Sequence, residues 1–427
     1  MVRPRRGIDQ TEDTSSNVST SNEDLKHSLE SGGISQQPST PEEEQIPSHI
    51  LEKAEGIQRA CDLHDFDALV SYATSEGGFL WDDLRRVAWP ILLQCNRGRD
   101  LDALKAWKEL PRHRDEDQVQ LDVNRSFVYY PKGTDKELAI KKDELSNLIK
   151  QILRNFPMLC YFQGYHDIVQ VLLLVLGEQQ AAAAVAEVSL FRIRDYMLPS
   201  LAPALKHLQL IPAIIEKADP ELRLHISGTR PFFALAATLT LYAHDIQEYS
   251  DIARLFDFLL AREPVVSIYL FAAIALSRRK ELLEIPVEEP EMMHFVLSKL
   301  PYPLDLDGLI LSAEKLFDNY PPESLPFGVW KRIPGLSVLK TSRDLFEKHE
   351  TEEALELFDR QARHLRNEER RQKALGFLWK HRRTIGSVAV TVFVGAVSIW
   401  IRRKGLDAPI WSYVGRFQSA FQRLGII

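Results

Sequence analysis

The chain has 427 residues, of which 45% are apolar and 26% are charged. This ordinary globular composition excludes a collagen-like fibre, a wholly disordered chain and a small disulfide-stabilised domain. The chain has 53 lysines and arginines and 60 aspartates and glutamates, for a net charge of −7. Proteins that bind nucleic acid usually present a basic face, so no nucleic-acid partner is predicted. The three cysteines lie far apart without a CxxC pair, which predicts neither a zinc site nor a disulfide framework.

The first segment, residues 1–46, contains no aromatic residue and is rich in Ser, Thr, Glu, Gln and Pro. A chain of this composition buries too little apolar surface to offset its conformational entropy. The segment is therefore predicted to be disordered.

Helical periodicity then dominates, and residues 47–350 are predicted to form one large, multi-helix, all-α domain. The clearest amphipathic helix is expected over Asp143–Phe156, and Tyr165–Leu176 is apolar almost all round, which predicts a buried central helix. Val119–Tyr130 is the best candidate for a strand. Further helices are predicted over Ala181–Tyr196, Phe232–His244, Ser250–Ala261, Val265–Leu276 and Pro290–Lys299.

The C-terminal part has a charged helix followed by an apolar stretch. Thr351–Lys380 is predicted to be the helix, within a juxtamembrane region over residues 351–383. Thr384–Ile401 has 18 residues and no charge, and as a helix it rises about 27 Å, enough to cross a thin bilayer. A buried core helix is the alternative, but core helices seldom carry dense positive charge at both ends.

No apolar signal segment precedes this stretch, so we expect a tail-anchored protein with its bulk in the cytosol. The lipid bilayer is then a partner through residues 384–401. Residues 402–427 form a short amphipathic tail, which periodicity leaves open as an interfacial helix or a functionless end.

Several common catalytic signatures are missing: the chain has no GxSxG, HExxH or GxxxxGK motif. His166 and Asp167 could suggest a catalytic dyad or a metal ligand. Adjacent helical residues point about 100° apart and do not converge on one atom, so we interpret His166 as a hydrogen-bonded core histidine. No metal site is predicted.

Two short segments each carry one long polar side chain among apolar neighbours, at a predicted loop-to-helix junction. Arg125 has a permanent cation shaped for phosphate, and the Gln163 carboxamide both donates and accepts hydrogen bonds. Together they suit phosphoryl transfer, in which positioning and charge stabilisation do the catalysis. The alternative, which spacing alone favours, is a local Asp122–Arg125 ion pair and a buried, hydrogen-bonded Gln163 amide.

These segments resemble the TBC-domain family of Rab GTPase-activating proteins, which has an I-x-x-D-x-x-R motif and a Y-x-Q motif followed by glycine. The first motif has valine in place of isoleucine, and the second is intact. The matching residues are Val119, Asp122, Arg125, Tyr161, Gln163 and Gly164. The segment from Leu84 to Leu93 also looks like the entry of the family's domain, with Arg85 and Trp89 as structural motif residues.

Downstream, three short segments look like the branch of the family that is anchored in the endoplasmic reticulum by a C-terminal membrane segment. These segments begin at Pro231, Arg254 and Ile268. The resemblance implies an all-α TBC-type domain followed by a transmembrane helix, a location in the endoplasmic reticulum membrane, and action on traffic from the endoplasmic reticulum to the Golgi.

By the same resemblance, Arg125 is an arginine finger and Gln163 a glutamine finger, both supplied in trans to a Rab-family GTPase in its GTP form. Asp122, Tyr161 and Gly164 would support them. The chain needs no cofactor of its own, because GTP and Mg²⁺ belong to the partner. Two alternatives stay open: a catalytically silent, membrane-anchored Rab-binding scaffold, and a membrane-shaping protein.

Overall fold

The computed structural model describes residues 47–95, 106–344, 350–381, 392–400 and 403. These residues divide into two compact units, one ending at residue 349 and a second that comprises residues 198–200 and the chain from residue 350. The predicted disordered segment 1–46 and the tail beyond Arg403 lie outside the described residues.

Helices make up the first unit, and its described residues contain no strand. The helices of its first half are α1 (Ser48–Leu63), α2 (Phe66–Thr74), α3 (Asp82–Leu92), α4 (Glu116–Val123), α5 (Asp135–Asn155), α6 (Tyr165–Phe191), α7 (Ala202–Leu208), α8 (Leu210–Ala218) and α9 (Pro220–His225). Those of its second half are α10 (Leu235–Leu239), α11 (Tyr249–Ala261), α12 (Val266–Ser277), α13 (Arg279–Glu284), α14 (Pro290–Leu297), α15 (Leu306–Asn319), α16 (Val329–Arg332) and α17 (Val338–Thr341). Short 3₁₀ helices connect several of these, at Ala106–Glu109, Arg194–Met197, Ile226–Gly228, Pro231–Ala234, Pro322–Ser324 and Pro326–Gly328.

The all-α prediction is thus confirmed for the described residues, but the strand predicted over Val119–Tyr130 is wrong. Its first half belongs to α4, which begins at Glu116 and ends at Val123. Within α4, Val119, Asp122 and Val123 are buried, at the i, i+3, i+4 spacing of a helix face. When a helix is this short, the spacing of its buried residues is easily mistaken for the alternating buried and exposed residues of a strand.

The predicted central helix is α6, which packs against both α3 and α5. It is the one helix in the described part of the chain that is long and apolar enough to cross a membrane, but 67% of its most apolar window is buried inside the fold. Gly177 (φ 71°, ψ 168°) interrupts its helical geometry. We therefore interpret α6 as a core helix.

The predicted helix over Phe232–His244 is shorter than expected. A 3₁₀ turn at Pro231–Ala234 leads into α10, which ends at Leu239. Leu241 and Tyr242 then have positive φ angles of 48° and 66°, which an α-helix cannot contain. The resulting turn, residues 240–245, packs beside the N-terminus of α6, where Thr240 lies against Gly164.

In the second unit, α18 spans Thr351–Lys380 and has the bounds predicted from its periodicity. Residues 392–400 are also helical, and their large apolar side chains are exposed. Residues 384–391 and 401 of the predicted membrane span lie outside the described residues.

Candidate functional site

Arg125 lies just beyond the C-terminal end of α4, so it follows a helix rather than preceding one. Its side chain is 65% exposed. One guanidinium nitrogen, Nη2, donates to Asp122 Oδ1 at 2.5 Å, and the Arg125 backbone N–H donates to the Asp122 carbonyl. The ion pair considered from spacing is therefore present, yet most of the Arg125 side chain stays exposed.

Gln163 sits two residues before the first residue of α6, and its side chain is exposed. Among the described residues its carboxamide has no hydrogen-bond partner. A buried and satisfied amide, the alternative raised by the sequence, is therefore wrong for this position. The carboxamide is available to a group that approaches from outside.

Gly164 follows Gln163 and caps α6 with a left-handed backbone, φ 100° and ψ −11°. A Cβ atom on this residue would lie 2.5 Å from Thr240 Cγ2. Both the dihedral angle and the close approach require glycine. This turn determines the direction in which the Gln163 loop leaves the helix.

Asp122 and Tyr161 join the two segments. Asp122 is fully buried, and its carboxylate accepts hydrogen bonds from the Tyr161 hydroxyl at 2.9 Å and the Gln118 amide at 3.1 Å, besides Arg125. The Tyr161 backbone N–H donates to Asp115 at the start of α4. Both ends of α4 are thus fastened to the loop that carries Gln163, which keeps Arg125 and Gln163 in one local assembly.

Exposed apolar side chains lie on both sides of Arg125 in the sequence, and the sequence analysis did not predict their exposure. Leu121 is 59% exposed, Val128 74% and Tyr129 46%. Between them, Phe127 is buried with φ 60°, and its N–H donates to Gln170 on α6. Because this bond anchors the loop, Val128 and Tyr129 are presented outward.

Arg85 and Trp89, on α3, lie in a separate and buried cluster around Asp257 of α11. The Asp257 carboxylate accepts from the Arg85 guanidinium at 3.0 and 3.1 Å and from the Trp89 indole at 2.8 Å. It also accepts the Phe79 backbone N–H. With Arg85 5% exposed and Asp257 fully buried, these residues connect α3 to α11 and are inaccessible to a partner.

His166 is 8% exposed, as expected of a core histidine, but its geometry differs from the prediction. Its Nε2 lies 3.3 Å from Asp167 Oδ1, and its Nδ1 lies 3.2 Å from the Tyr161 hydroxyl. The side chains of these adjacent residues therefore lie within contact distance of each other. No group of three or more His, Cys, Asp or Glu side chains in the described part of the chain could hold a metal ion.

A buried Ser, His and Asp trio elsewhere resembles a hydrolase triad in composition only. Both His207 Nε2, at 2.9 Å, and Ser337 Oγ contact the same oxygen of Asp195. All three residues are at most 1% exposed, so no substrate reaches them. The trio holds together the segments before α7 and α17.

Comparison with known proteins identifies the family of this chain. A profile of the Rab-GTPase-TBC domain matches residues 82–283. The chain is 32% identical over 304 residues to GTPase-activating protein gyp10 of Schizosaccharomyces pombe, a match that covers 70% of this chain and 81% of that relative. This chain belongs to the Rab-GTPase-TBC domain family. The family membership expected from the motifs is thereby confirmed.

Other relatives of this TBC protein match over a smaller part of their length. It is 36% identical over 267 residues to TBC1 domain family member 20 of Homo sapiens, which covers 62% of this chain and 66% of that relative. The bovine protein of the same name is matched over 65% of its length. The crystal structure of the Ypt/Rab-GAP domain of Gyp1p shares the fold, with a TM-score of 0.51 at 16% identity, over 63% of this chain and 99% of that domain.

Proposed function

We propose that this TBC protein is a GTPase-activating protein that stimulates GTP hydrolysis by a Rab-family GTPase in its GTP form. The observation that carries the proposal is that two exposed polar side chains, Arg125 and Gln163, lie on segments that the partly buried Asp122–Tyr161 hydrogen bond holds together. The name of the gyp10 relative, with its 32% identity, supports the same activity.

In this mechanism Arg125 enters the nucleotide site of the GTPase and neutralises the charge that builds on the phosphate oxygens in the transition state. One nitrogen stays paired with Asp122, which orients the guanidinium while its remaining donors face the phosphates. An arginine supplied in trans raises the rate on the order of 10³–10⁵-fold, or roughly 4–7 kcal/mol.

Gln163 would orient the attacking water through its carboxamide, whose oxygen accepts a hydrogen bond from the water and whose NH₂ donates one towards the phosphate. In the part of the chain that the structure describes, the Gln163 side chain has no hydrogen-bond partner, which favours this role because no such contact has to break first. GTP and Mg²⁺ belong to the partner, and this chain contributes neither.

The exposed apolar residues near Arg125 support a protein partner rather than a free nucleotide. An arginine that reaches into a pocket brings its neighbours in the chain to the rim of that pocket. Leu121, Val128 and Tyr129 would then lose their exposure to water, and such burial contributes to protein–protein affinity.

The decisive experiment is a GTP-hydrolysis screen of the full chain against a panel of Rab GTPases, with Arg125→Ala and Gln163→Ala as matched variants. We expect one or a few GTPases to respond, and each variant to lose most of the stimulation while keeping its helical circular dichroism. A scaffold would bind a Rab without accelerating hydrolysis. Wild-type stimulation by both variants would reject the two-finger mechanism.

We further propose that residues 384–401 anchor the protein in the endoplasmic reticulum membrane, with the TBC domain facing the cytosol and acting on traffic to the Golgi. Support comes from the 18 uncharged residues of this segment and from the exposed apolar side chains of its helical part, residues 392–400. Deleting residues 384–427 should release the protein into the soluble fraction with its catalysis retained. A truncated protein that still sediments with membranes would contradict the anchor.

A further inference from the structure

A continuous chain of polar contacts extends from Arg125 into the protein and returns to the surface at another point. Beyond Asp122 and Tyr161 it continues through His166 and Asp167, on the first turn of α6, to His244 in the turn of residues 240–245. The successive distances are 2.5 Å (Arg125–Asp122), 2.9 Å (Asp122–Tyr161), 3.2 Å (Tyr161–His166), 3.3 Å (His166–Asp167) and 3.1 Å (Asp167–His244).

The number of protons in this chain depends on the state of His166. Tyr161 has one hydroxyl proton, and giving it to Asp122 requires His166 Nδ1–H to act as the donor to the Tyr161 oxygen. His166 Nε2 lies 3.3 Å from an oxygen of Asp167, an ion-pair distance, and a carboxylate attracts this nitrogen only when it carries a proton. The complete chain therefore requires the imidazolium form, with protons on both nitrogens.

A neutral His166 leaves one contact without a proton, whichever tautomer it adopts. With the proton on Nδ1, the lone pair of Nε2 faces Asp167. With the proton on Nε2, Tyr161 turns its hydroxyl proton to Nδ1, and its oxygen then faces Asp122, whose side chain is fully buried. Two acceptors in contact repel each other, and an unsatisfied buried acceptor costs about 1–3 kcal/mol.

We propose that His166 is a positioning residue whose protonated ring completes the support of Asp122 and Arg125, so that stimulated GTP hydrolysis declines when this ring loses its proton. The inference rests on the proposed function. It assigns a role to the His166–Asp167 pair, which has no part in the mechanism proposed for Arg125 and Gln163.

The groups that face His166 come from every neighbouring element. Asp122 lies on α4, Arg125 just beyond it, Tyr161 on the preceding loop, Asp167 on α6 and His244 on the adjacent turn. Burial lowers the pKa of His166 below the ordinary histidine value, while the Asp167 and Asp122 carboxylates oppose that shift. The hydrogen bond to Asp167 raises the pKa of His244. The pKa of His166 thus lies below the ordinary histidine pKa, and its ring loses its proton at a more acidic pH.

The test compares the pH dependence of kcat for the full chain and for His166→Asn, using the GTPase that responds in the screen. Asparagine places a donating amide nitrogen near the position of Nδ1 and does not titrate, so it keeps the bond to Tyr161 at every pH. We expect the wild-type kcat, divided by that of His166→Asn, to fall roughly threefold to tenfold between about pH 5 and about pH 8.

His166→Leu should lower kcat across the range with little change in KM, because Arg125 loses its fixed support but the docking surface is intact. His364→Asn, which changes an exposed histidine of α18, should keep the wild-type profile. A constant ratio of the wild type to His166→Asn, or an unchanged kcat for His166→Leu, would overturn the inference. A different result rejects the proposed function itself: the wild type activates no GTPase, or Arg125→Ala activates one as well as the wild type does.

Discussion

The hydroxyl of Tyr161 donates a 2.9 Å hydrogen bond to the carboxylate of Asp122, which is fully buried and also holds Arg125. This bond spans 39 positions of the chain and connects the two segments that carry the proposed fingers. The geometry of the site therefore depends on a contact between supporting residues, and it can be perturbed without changing either finger.

Tyr161→Phe removes this hydroxyl and leaves the buried carboxylate with one donor fewer. We expect a loss of about 1–3 kcal/mol in unfolding free energy and a fall in stimulated kcat of roughly threefold to tenfold, with KM nearly constant because the exposed surface is unchanged. Tyr302→Phe, at a tyrosine that is 98% exposed, is the control. Steady-state kinetics and thermal unfolding measure both effects, and an unchanged kcat would show that the bond does not position Arg125.

Gly164→Ala should destabilise the turn that carries Gln163. The positive φ costs about 1–3 kcal/mol for a residue with a side chain, and the new Cβ lies 2.5 Å from Thr240 Cγ2. We expect a lower melting temperature and a stimulated activity close to that of Gln163→Ala.

Two further variants separate strain from steric conflict at this turn. Gly177 also has a positive φ, but a Cβ atom on this residue would meet no atom within 4 Å. Gly177→Ala should therefore lower stability without lowering activity. Adding Thr240→Ser to Gly164→Ala removes Cγ2 and should restore part of the activity. If this double variant is no more active than Gly164→Ala, the steric conflict is not the cause.

Asp257→Asn should unfold or strongly destabilise the domain, because Arg85 would remain buried without its buried carboxylate partner, and Asp82 contacts only one of its nitrogens. Removing one partner of a buried ion pair costs about 3–5 kcal/mol. Urea titration followed by circular dichroism measures this loss, and Asp318→Asn, at an exposed aspartate, should leave stability unchanged. Wild-type stability of Asp257→Asn would refute the structural role of the α3–α11 cluster.

Val128→Asp should raise KM about tenfold or more with kcat retained at saturating GTPase, because a charge would be desolvated at the rim of the docking surface. Leu63→Asp is the matched control, since Leu63 is 71% exposed on α1 and Val128 is 74% exposed. Both proteins should melt at the wild-type temperature. An unchanged KM for Val128→Asp would place the partner elsewhere.

Acid should weaken the trio around Asp195. Burial opposes the ionisation of Asp195, but hydrogen bonds from His207 and Ser337 outweigh it and lower its pKa to about 2. The pKa of Asp195 in the folded state thus lies below the ordinary aspartate value of about 3.9, so its ionised carboxylate adds on the order of 2 kcal/mol to the free energy of unfolding. This contribution is complete above about pH 4 and is lost as the pH falls towards 2. In urea titrations over this range, Asp195→Asn should be less stable than the wild type at neutral pH and should show a shallower acid dependence. Equal acid dependence in the two proteins would contradict this assignment.

The sequence by itself determined the helical class, the family and the identity of the residues proposed to act. Helix periodicity is a local property, so long patterns such as Thr351–Lys380 and Ser250–Ala261 agree with α18 and α11 within a residue. The short stripe around Val119 contained too few turns to separate a helix from a strand.

Only the tertiary structure decided which polar groups meet. Asp257 lies 172 positions from Arg85, and Thr240 lies against Gly164 across a turn whose positive φ angles no periodicity reveals. The exposure of Gln163 and the contact between His166 and Tyr161 likewise arise from packing between segments. Local pattern specifies helices, because their hydrogen bonds are local, whereas hydrogen bonds between distant side chains depend on how those helices pack.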